Sequence, residues 1–269
     1  MLLRLTWVGG PTARIEIGSF RILTDPMLGE GPEAFVMRRH PSTGEYNVPI
    51  ARLAPLPAVD LDDLDLVIAS HLHGDHFDPR AVERLDKGLQ VLAPTPNVRQ
   101  LRDWGFHDVT GLDWRQGLTW HKDGQLLRVL AVPAHHAHDE VANHELGTVN
   151  GYLIEHVAGD SVVRVYWTGD TVWFDELGKV AETLPGVDLL LPHLGGVGSD
   201  GGPWGADLAR RCRGHPGRRG DQPRHSDPDP PQHVPVLRRT GRRVRPPARR
   251  ERLPRRARHP RRRRELDRR

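Results

Sequence analysis

Apolar and polar residues alternate from the first few positions of the chain. Leu3, Leu5 and Trp7 interleave with Arg4 and Thr6, and apolar positions recur through 13–17 and 20–23. A period of two marks a strand with one buried face, which predicts strands over 3–8, 13–17 and 20–23. Gly18-Ser19 is a tight hairpin turn between the second and third, and Thr24-Asp25-Pro26 ends the third. Two further hairpins are predicted. Asp123-Gly124 separates 118–121 from 126–132, and Gly159-Asp160 separates 152–157 from 162–168.

The runs 64–69 and 187–191 are mostly apolar, as expected of buried strands, and 91–93 is a shorter one. Asp78-Pro79 opens a helix through about residue 85, a capping side chain followed by proline at the first helical position. Residues 96–104 form a short helix closed by Gly105, and 174–184 another. Residues 27–59 are rich in Pro and Gly and show no clear period, which reads as a functional cover rather than a linker. Hairpins followed by strand–helix alternation predict an α/β layered sandwich.

Charge divides the chain in two. Residues 1–206 carry 16 basic against 28 acidic side chains, and residues 207–269 carry 23 arginines against 7 acids. After Trp204 there is no Phe, Tyr, Trp or Ile. Such a segment cannot bury enough apolar surface to offset its ordering entropy. The expected organisation is therefore a domain over 1–206 and an Arg/Pro-rich tail over 207–269, disordered or out of frame. The tail lacks lysine and any aromatic for base stacking, which argues against a nucleic-acid arm. Cys212 is the single cysteine, so no intrachain disulfide forms. Neither a signal peptide nor a membrane-spanning stretch is evident, and a cytoplasmic location is the expectation.

The densest chemistry is Ser70-His71-Leu72-His73-Gly74-Asp75-His76, directly after the buried strand at 64–69. Three imidazoles and a carboxylate at a strand end, without thiolate, suit a catalytic divalent metal better than a structural one. Three more clusters end strands: Pro133-Ala134-His135-His136-Ala137-His138, Thr168-Gly169-Asp170-Thr171, and Thr24-Asp25-Pro26. No Gly-x-Ser-x-Gly elbow surrounds Ser70, so serine is not the expected nucleophile.

In this order the motifs resemble the metallo-β-lactamase superfamily over about residues 3–200. The resemblance is strongest to the branch of ascorbate-6-phosphate lactonases and N-acyl-phosphatidylethanolamine phospholipases D. Gly10-Pro11-Thr12, Leu23-Thr24-Asp25-Pro26 and Thr168-Gly169-Asp170-Thr171-Val172-Trp173 look like that branch. The resemblance implies an αββα sandwich, incomplete here at the C-terminus, with two divalent ions on the rim between its sheets. Zinc is the first choice, with manganese or iron as alternatives. It further implies that His71, His73 and His136 hold one ion, that Asp75 and His76 hold the other, and that Asp170 bridges both.

The implied activity is hydrolysis of a phosphodiester, lactone or related ester in a small-molecule substrate, by metal-activated water with Asp75 or Asp170 handling the nucleophile's proton. Asp25 is expected to orient a ligating imidazole. His135, His138 and His193 are candidates for the surrounding pocket or for substrate contact, or are solvated loop residues. An iron-dependent redox protein on the same fold and an inactive metal-binding remnant are the alternatives.

The family's second ion takes one more histidine, from a Pro-x-His strand end near the C-terminus. No such strand follows residue 206. Reading residues 227–234 one base later permits Ile-Pro-Ile-His-His-Asn-Thr-Phe, which looks like the missing strand. Residues 236–244 likewise permit Phe-Tyr-Asp-Glu-Pro-Val-Ala-Glu-Phe. The expectation is a frameshift, natural or in the determined sequence, near residues 201–207, with weak occupancy of the second site and little or no hydrolase activity in the chain as written. Trypsin should therefore cut the chain first beyond residue 206, where accessible arginines abound. A tail as resistant as residues 1–200, or coding DNA without a frame change, would contradict this reading.

Overall fold

The computed structural model describes residues 3–39, 44–183 and 186–194. The Arg/Pro-rich tail, its boundary at 206–207 and the shifted frame lie outside the described residues.

The predicted hairpins are present. β1 (Leu3–Gly9), β2 (Thr12–Ile17) and β3 (Phe20–Thr24) pair antiparallel, with Ile17 opposite Phe20 across a Gly18 whose φ is +55°. A Cβ at Gly18 would run into Gln125 and His156, so close approach as well as the turn favours glycine there. The predicted cover contains a hairpin of its own, β4 (Phe35–Arg39) and β5 (Tyr46–Ile50), which the composition did not reveal. Arg52 fastens this region, its guanidinium donating to the carbonyls of Met27 (2.9 Å), Gly29 (3.0 Å) and Val8 (3.3 Å).

The chain then alternates. β6 (Leu66–Ile68) leads into the His-rich loop and α1 (Pro79–Arg84), where Asp78 Oδ1 accepts from Ala81 N as the capping pattern predicts. β7 (Gln90–Pro94), α2 (Val98–Asp103) and β8 (Val109–Leu112) follow. The segment at 96–104 starts with a 3₁₀ turn over Thr95–Asn97 before α2, so that helix is shorter than predicted. β9 (Gly117–Lys122) and β10 (Gln125–Pro133) form the second predicted hairpin. α3 (Glu140–Leu146), not predicted, is capped by Asp139. β11 (Asn150–Ala158) and β12 (Ser161–Trp167) form the third hairpin, then α4 (Asp175–Thr183) and β13 (Leu189–Leu191).

These strands form two main sheets, in the orders β1-β2-β3-β6-β7-β8 and β13-β12-β11-β10-β9. Their inner faces meet in one core, with Ile15, Ile17, Ile22 and Ile68 from the first sheet against Leu127, Val129, Ile154 and Val165 from the second. On the outer face of the first sheet, Val67, Val91 and Ala93 pack on Ala81 and Leu101 of α1 and α2. On the outer face of the second, Val132, Leu153 and Tyr166 pack on Leu177 of α4. Helix, sheet, sheet, helix is the predicted αββα sandwich.

No helix among the described residues is long and apolar enough to cross a membrane. Ile154 is fully buried where the sheets meet. Ile154→Ala should lower unfolding free energy by about 2–5 kcal/mol, read as a shift of the urea midpoint. A loss below about 1 kcal/mol would mean the two sheets do not share this core.

Candidate metal centre

The strand ends that carried the sequence motifs meet on one rim of the sandwich. His71, His73 and His76 follow β6, His136 follows β10, and Asp170 follows β12. One ring nitrogen from each of His71, His73 and His136 lies within a group 4.8 Å across, and His71, His76 and Asp170 form a second such group. Sharing His71, the two groups are one continuous cluster. His71 Nε2 and His73 Nδ1 are 2.9 Å apart. The His71 ring centroid lies 4.1 Å from that of His76 and 4.6 Å from that of His136.

Each of the four imidazoles has one nitrogen held from outside. His76 Nδ1 is 3.0 Å from Asp25 Oδ2, and His71 Nδ1 is 2.9 Å from Ser70 Oγ. His136 Nδ1 donates to the Gly147 carbonyl at 3.0 Å, and the His73 ring bonds the Leu146 backbone. Those last two partners lie at the end of α3, so the unpredicted helix positions two rings of the cluster. Asn143 on α3 also accepts from His136 N at 2.8 Å.

Behind the rings sits Asp25, fully buried. Its carboxylate accepts from Ser70 N (2.5 Å), Ser70 Oγ (2.7 Å), His76 Nδ1 (3.0 Å) and Trp167 Nε1 (3.1 Å). Asp25 thus reaches the imidazole of His76. Ser70 and Trp167 were not singled out by sequence. Serine directly before the first histidine of the motif was the available signal for Ser70; nothing local marked Trp167.

The remaining candidates divide. Asp75 is half-buried and stands in neither donor group, although its charge reaches His73 and His193. His135 turns away from the cluster and stacks on Phe174 with centroids 4.0 Å apart and planes 5° apart, beside Trp114 at 5.5 Å. His138 is exposed. His193 also stands in neither donor group but borders the second, its Nε2 3.3 Å from Asp170 Oδ1 and its ring 4.9 Å from that of His76.

The electrostatics follow from crowding basic rings where water is scarce. Burial, aided by the neighbouring His76, His73 and His136, pushes His71 well below the usual imidazole range. Burial lowers His136 to about 4, with His73 adding to the effect, and it also lowers His73 and His193. His76 goes the other way. Burial opposes its charge, but the carboxylates of Asp170 and Asp25 outweigh that and raise it well above the ordinary value. Burial would raise Asp170, yet His76 beside it holds the carboxyl below the usual carboxylate range.

Neutral His71, His73 and His136 and an ionised Asp170 are the protonation states that a divalent cation requires, whereas His76, charged beside its two carboxylates, must give up its proton to bind one. The inward nitrogens fit such an ion in a second respect. Nε2 of His76 and of His136 are buried with no protein hydrogen-bond partner. Two buried ring nitrogens left unsatisfied in one cluster are costly unless a cation accepts their lone pairs.

The model of a beta-lactamase superfamily domain matches residues 20–245 of the chain. The chain belongs to this superfamily. Among its relatives, the N-acyl-phosphatidylethanolamine-hydrolyzing phospholipase D 1 of Caenorhabditis elegans is 28% identical over 200 residues, 71% of this chain and 53% of that protein. An uncharacterized protein of Mycobacterium tuberculosis is 36% identical over 143 residues, half of this chain and 34% of that protein. The chain therefore spans about half or less of the length of these two relatives. A metal-dependent hydrolase of Pyrococcus horikoshii is 26% identical over 196 residues, 72% of this chain and 73% of that protein. The isothiocyanate hydrolase of Delia radicum gut bacteria superposes with a TM-score of 0.61 at 22% identity, covering 78% of each chain, and so shares the beta-lactamase superfamily fold.

The lowered His136 has a consequence for stability. Its folded value, about 4, lies below the ordinary 6.5, so the unfolded chain takes up that proton first. Stability from this group is present above about pH 6.5 and is lost as pH falls towards 4. His76, raised in the fold, contributes with the opposite sign, adding stability below about pH 6.5 and losing it as pH rises. In chelator-treated protein, the change in melting temperature on going from about pH 7 to pH 5 should therefore move upward by a few degrees in His136→Gln. An identical pH dependence in the two proteins would contradict the burial of a neutral His136.

Proposed function

We propose that the chain is a metal-dependent hydrolase whose substrate is a phosphodiester, lactone or related ester. The observation that carries this reading is the convergence of His71, His73, His76, His136 and Asp170, with the outward nitrogen of each imidazole tied to the protein. Tying one nitrogen fixes the tautomer and aims the other at the ion, the usual arrangement for ligating histidine. The nematode and archaeal relatives, described as a phospholipase D and a metal-dependent hydrolase, support the same reaction class.

In this reading His71, His73 and His136 would hold one ion and Asp75 and His76 a second, with Asp170 shared between them. The all-nitrogen and oxygen donor set suits zinc, and also manganese or iron. The chemistry that such ions would supply when bound is Lewis acidity, towards water and towards a carbonyl or phosphoryl oxygen. The protein supplies the rest. Asp25 and Ser70 keep His76 and His71 in the required tautomers. Asp170, whose carboxyl lies below the usual carboxylate range beside His76, would serve as an anionic donor, and Asp75 or Asp170 would handle the nucleophile's proton.

The test uses the full chain loaded with zinc and assayed on bis(p-nitrophenyl) phosphate and on a simple lactone. Turnover should disappear on chelation and return with metal. His136→Ala should lower kcat/KM by more than about 100-fold, since even outer partners of ligands cost about 10–100-fold. Turnover that survives both chelation and His136→Ala would remove the proposal.

A further inference from the structure

By sequence His193 is a candidate substrate contact or a solvated loop residue, yet its surroundings are those of a metal donor. It lies two residues beyond β13, a strand that runs parallel to β12 with Leu191 paired to Trp167. That pairing sets the end of β13 beside the loop that carries Asp170. Two contacts make the placement firm. Thr168 N donates to the Leu191 carbonyl at 3.2 Å, and His193 N donates to Thr168 Oγ1 at 3.0 Å. The side chain is 17% exposed and its ring lies 6.1 Å from that of Trp167.

The geometry around Asp170 is informative. Two imidazole Nε2 atoms face the same oxygen, Asp170 Oδ1: His76 at 3.4 Å and His193 at 3.3 Å. Both separations exceed the ~2.9 Å typical of N–H···O hydrogen bonds. They match the ~3.4 Å between neighbouring donors that each lie ~2.1 Å from a tetrahedral ion. The two ring centroids are 4.9 Å apart and the planes 70° from parallel, which sets both rings beside Asp170, although His193 is not within the tight donor group of His71, His76 and Asp170.

We propose that His193 is a ligand of the second metal site, completing it with His76 and Asp170. This inference rests on reading the cluster as a metal centre. It supplies from a Pro-His strand end at 192–193 the imidazole that residues 207–269 do not supply in a matching context. It replaces the expectation of weak occupancy with a site that the chain as written can fill.

The experiment is zinc titration of the full, chelator-stripped chain, followed by calorimetry and metal content, against His193→Ala and His193→Gln. The wild-type chain should take two equivalents. Both variants should keep the first and bind the second at least about tenfold more weakly. A second measurement does not depend on the variants folding. With cadmium-113 in place of zinc in ¹⁵N-histidine-labelled wild-type protein, the His193 Nε2 resonance should show scalar coupling to the metal.

Two unchanged binding steps in the variants, a wild-type chain that takes only one equivalent, or no coupling at His193 would each overturn the proposal. A chain that binds two zinc ions through His193 but hydrolyses neither phosphodiester nor lactone would uphold this inference and remove the proposed activity. A chain that binds no zinc removes both.

Discussion

The centre depends on a carboxylate buried where the two sheets meet. Asp25 has no exposed surface and sits at φ +32°, a left-handed backbone that few residues other than glycine adopt. An ionised carboxylate taken out of water costs several kcal/mol unless it is compensated. Here the compensation comes from Ser70 N, Ser70 Oγ, His76 and Trp167, the first three from the loop after β6 and the last from the end of β12. Hydrogen bonds to a charged group contribute about 1.5–3 kcal/mol each. Folding of the rim and placement of the imidazoles are therefore one event, because the groups that satisfy Asp25 also orient His71 and His76.

Close packing carries this constraint outward. Gly169 has φ +58°, and a Cβ there would lie 2.6 Å from the Asn150 carbonyl and 2.7 Å from Ser70 Cβ. The Gly-Asp turn thus brings Asp170 against the His-rich loop only because its preceding residue has no side chain. Asn150 N in turn donates to the Ser70 carbonyl at 3.0 Å, and Tyr152 OH to the Ala69 carbonyl at 3.1 Å. The strand that feeds the motif is bonded to the opposite sheet immediately before the first histidine. On the far side Gly74 leaves room for the cover, since a Cβ there would lie 2.9 Å from the Val36 carbonyl. The hairpin of β4 and β5 therefore lies directly against the loop that carries the donors.

Local signals and local structure agree where the physics is local. Gly18, Gly124 and Gly159 adopt the positive φ that tight hairpins need, and Asp78 caps the helix that Pro79 opens. The elements that escaped are those stabilised from elsewhere. α3 buries no side chain fully and is built from residues with no strong apolar stripe. It is held through Asn143, Leu146 and Gly147, which serve the imidazoles of His136 and His73. β5 exposes much of its surface and depends on β4 and on Arg52, which bridges three carbonyls of distant segments. Neither leaves the periodic apolar pattern from which an element is read.

The sequence by itself determined the chemistry: which donors exist, how closely three of them follow one buried strand, and that the others end strands of their own. Period-two alternation and turn residues are short-range properties, so the layered order of the fold was also legible. Tertiary structure decided direction. Adjacent His135 and His136 carry the same side chain at the same strand end, and only the resemblance favours His136 in the sequence. The pairing of β10 with β11, Pro133 opposite Asn150, turns His136 to the cluster and leaves His135 on Phe174. Which nitrogen of each ring faces inward depends on carbonyls and carboxylates far along the chain. His193 enters the site because β13 lies parallel to β12, a contact between strands more than 20 residues apart that no local pattern encodes.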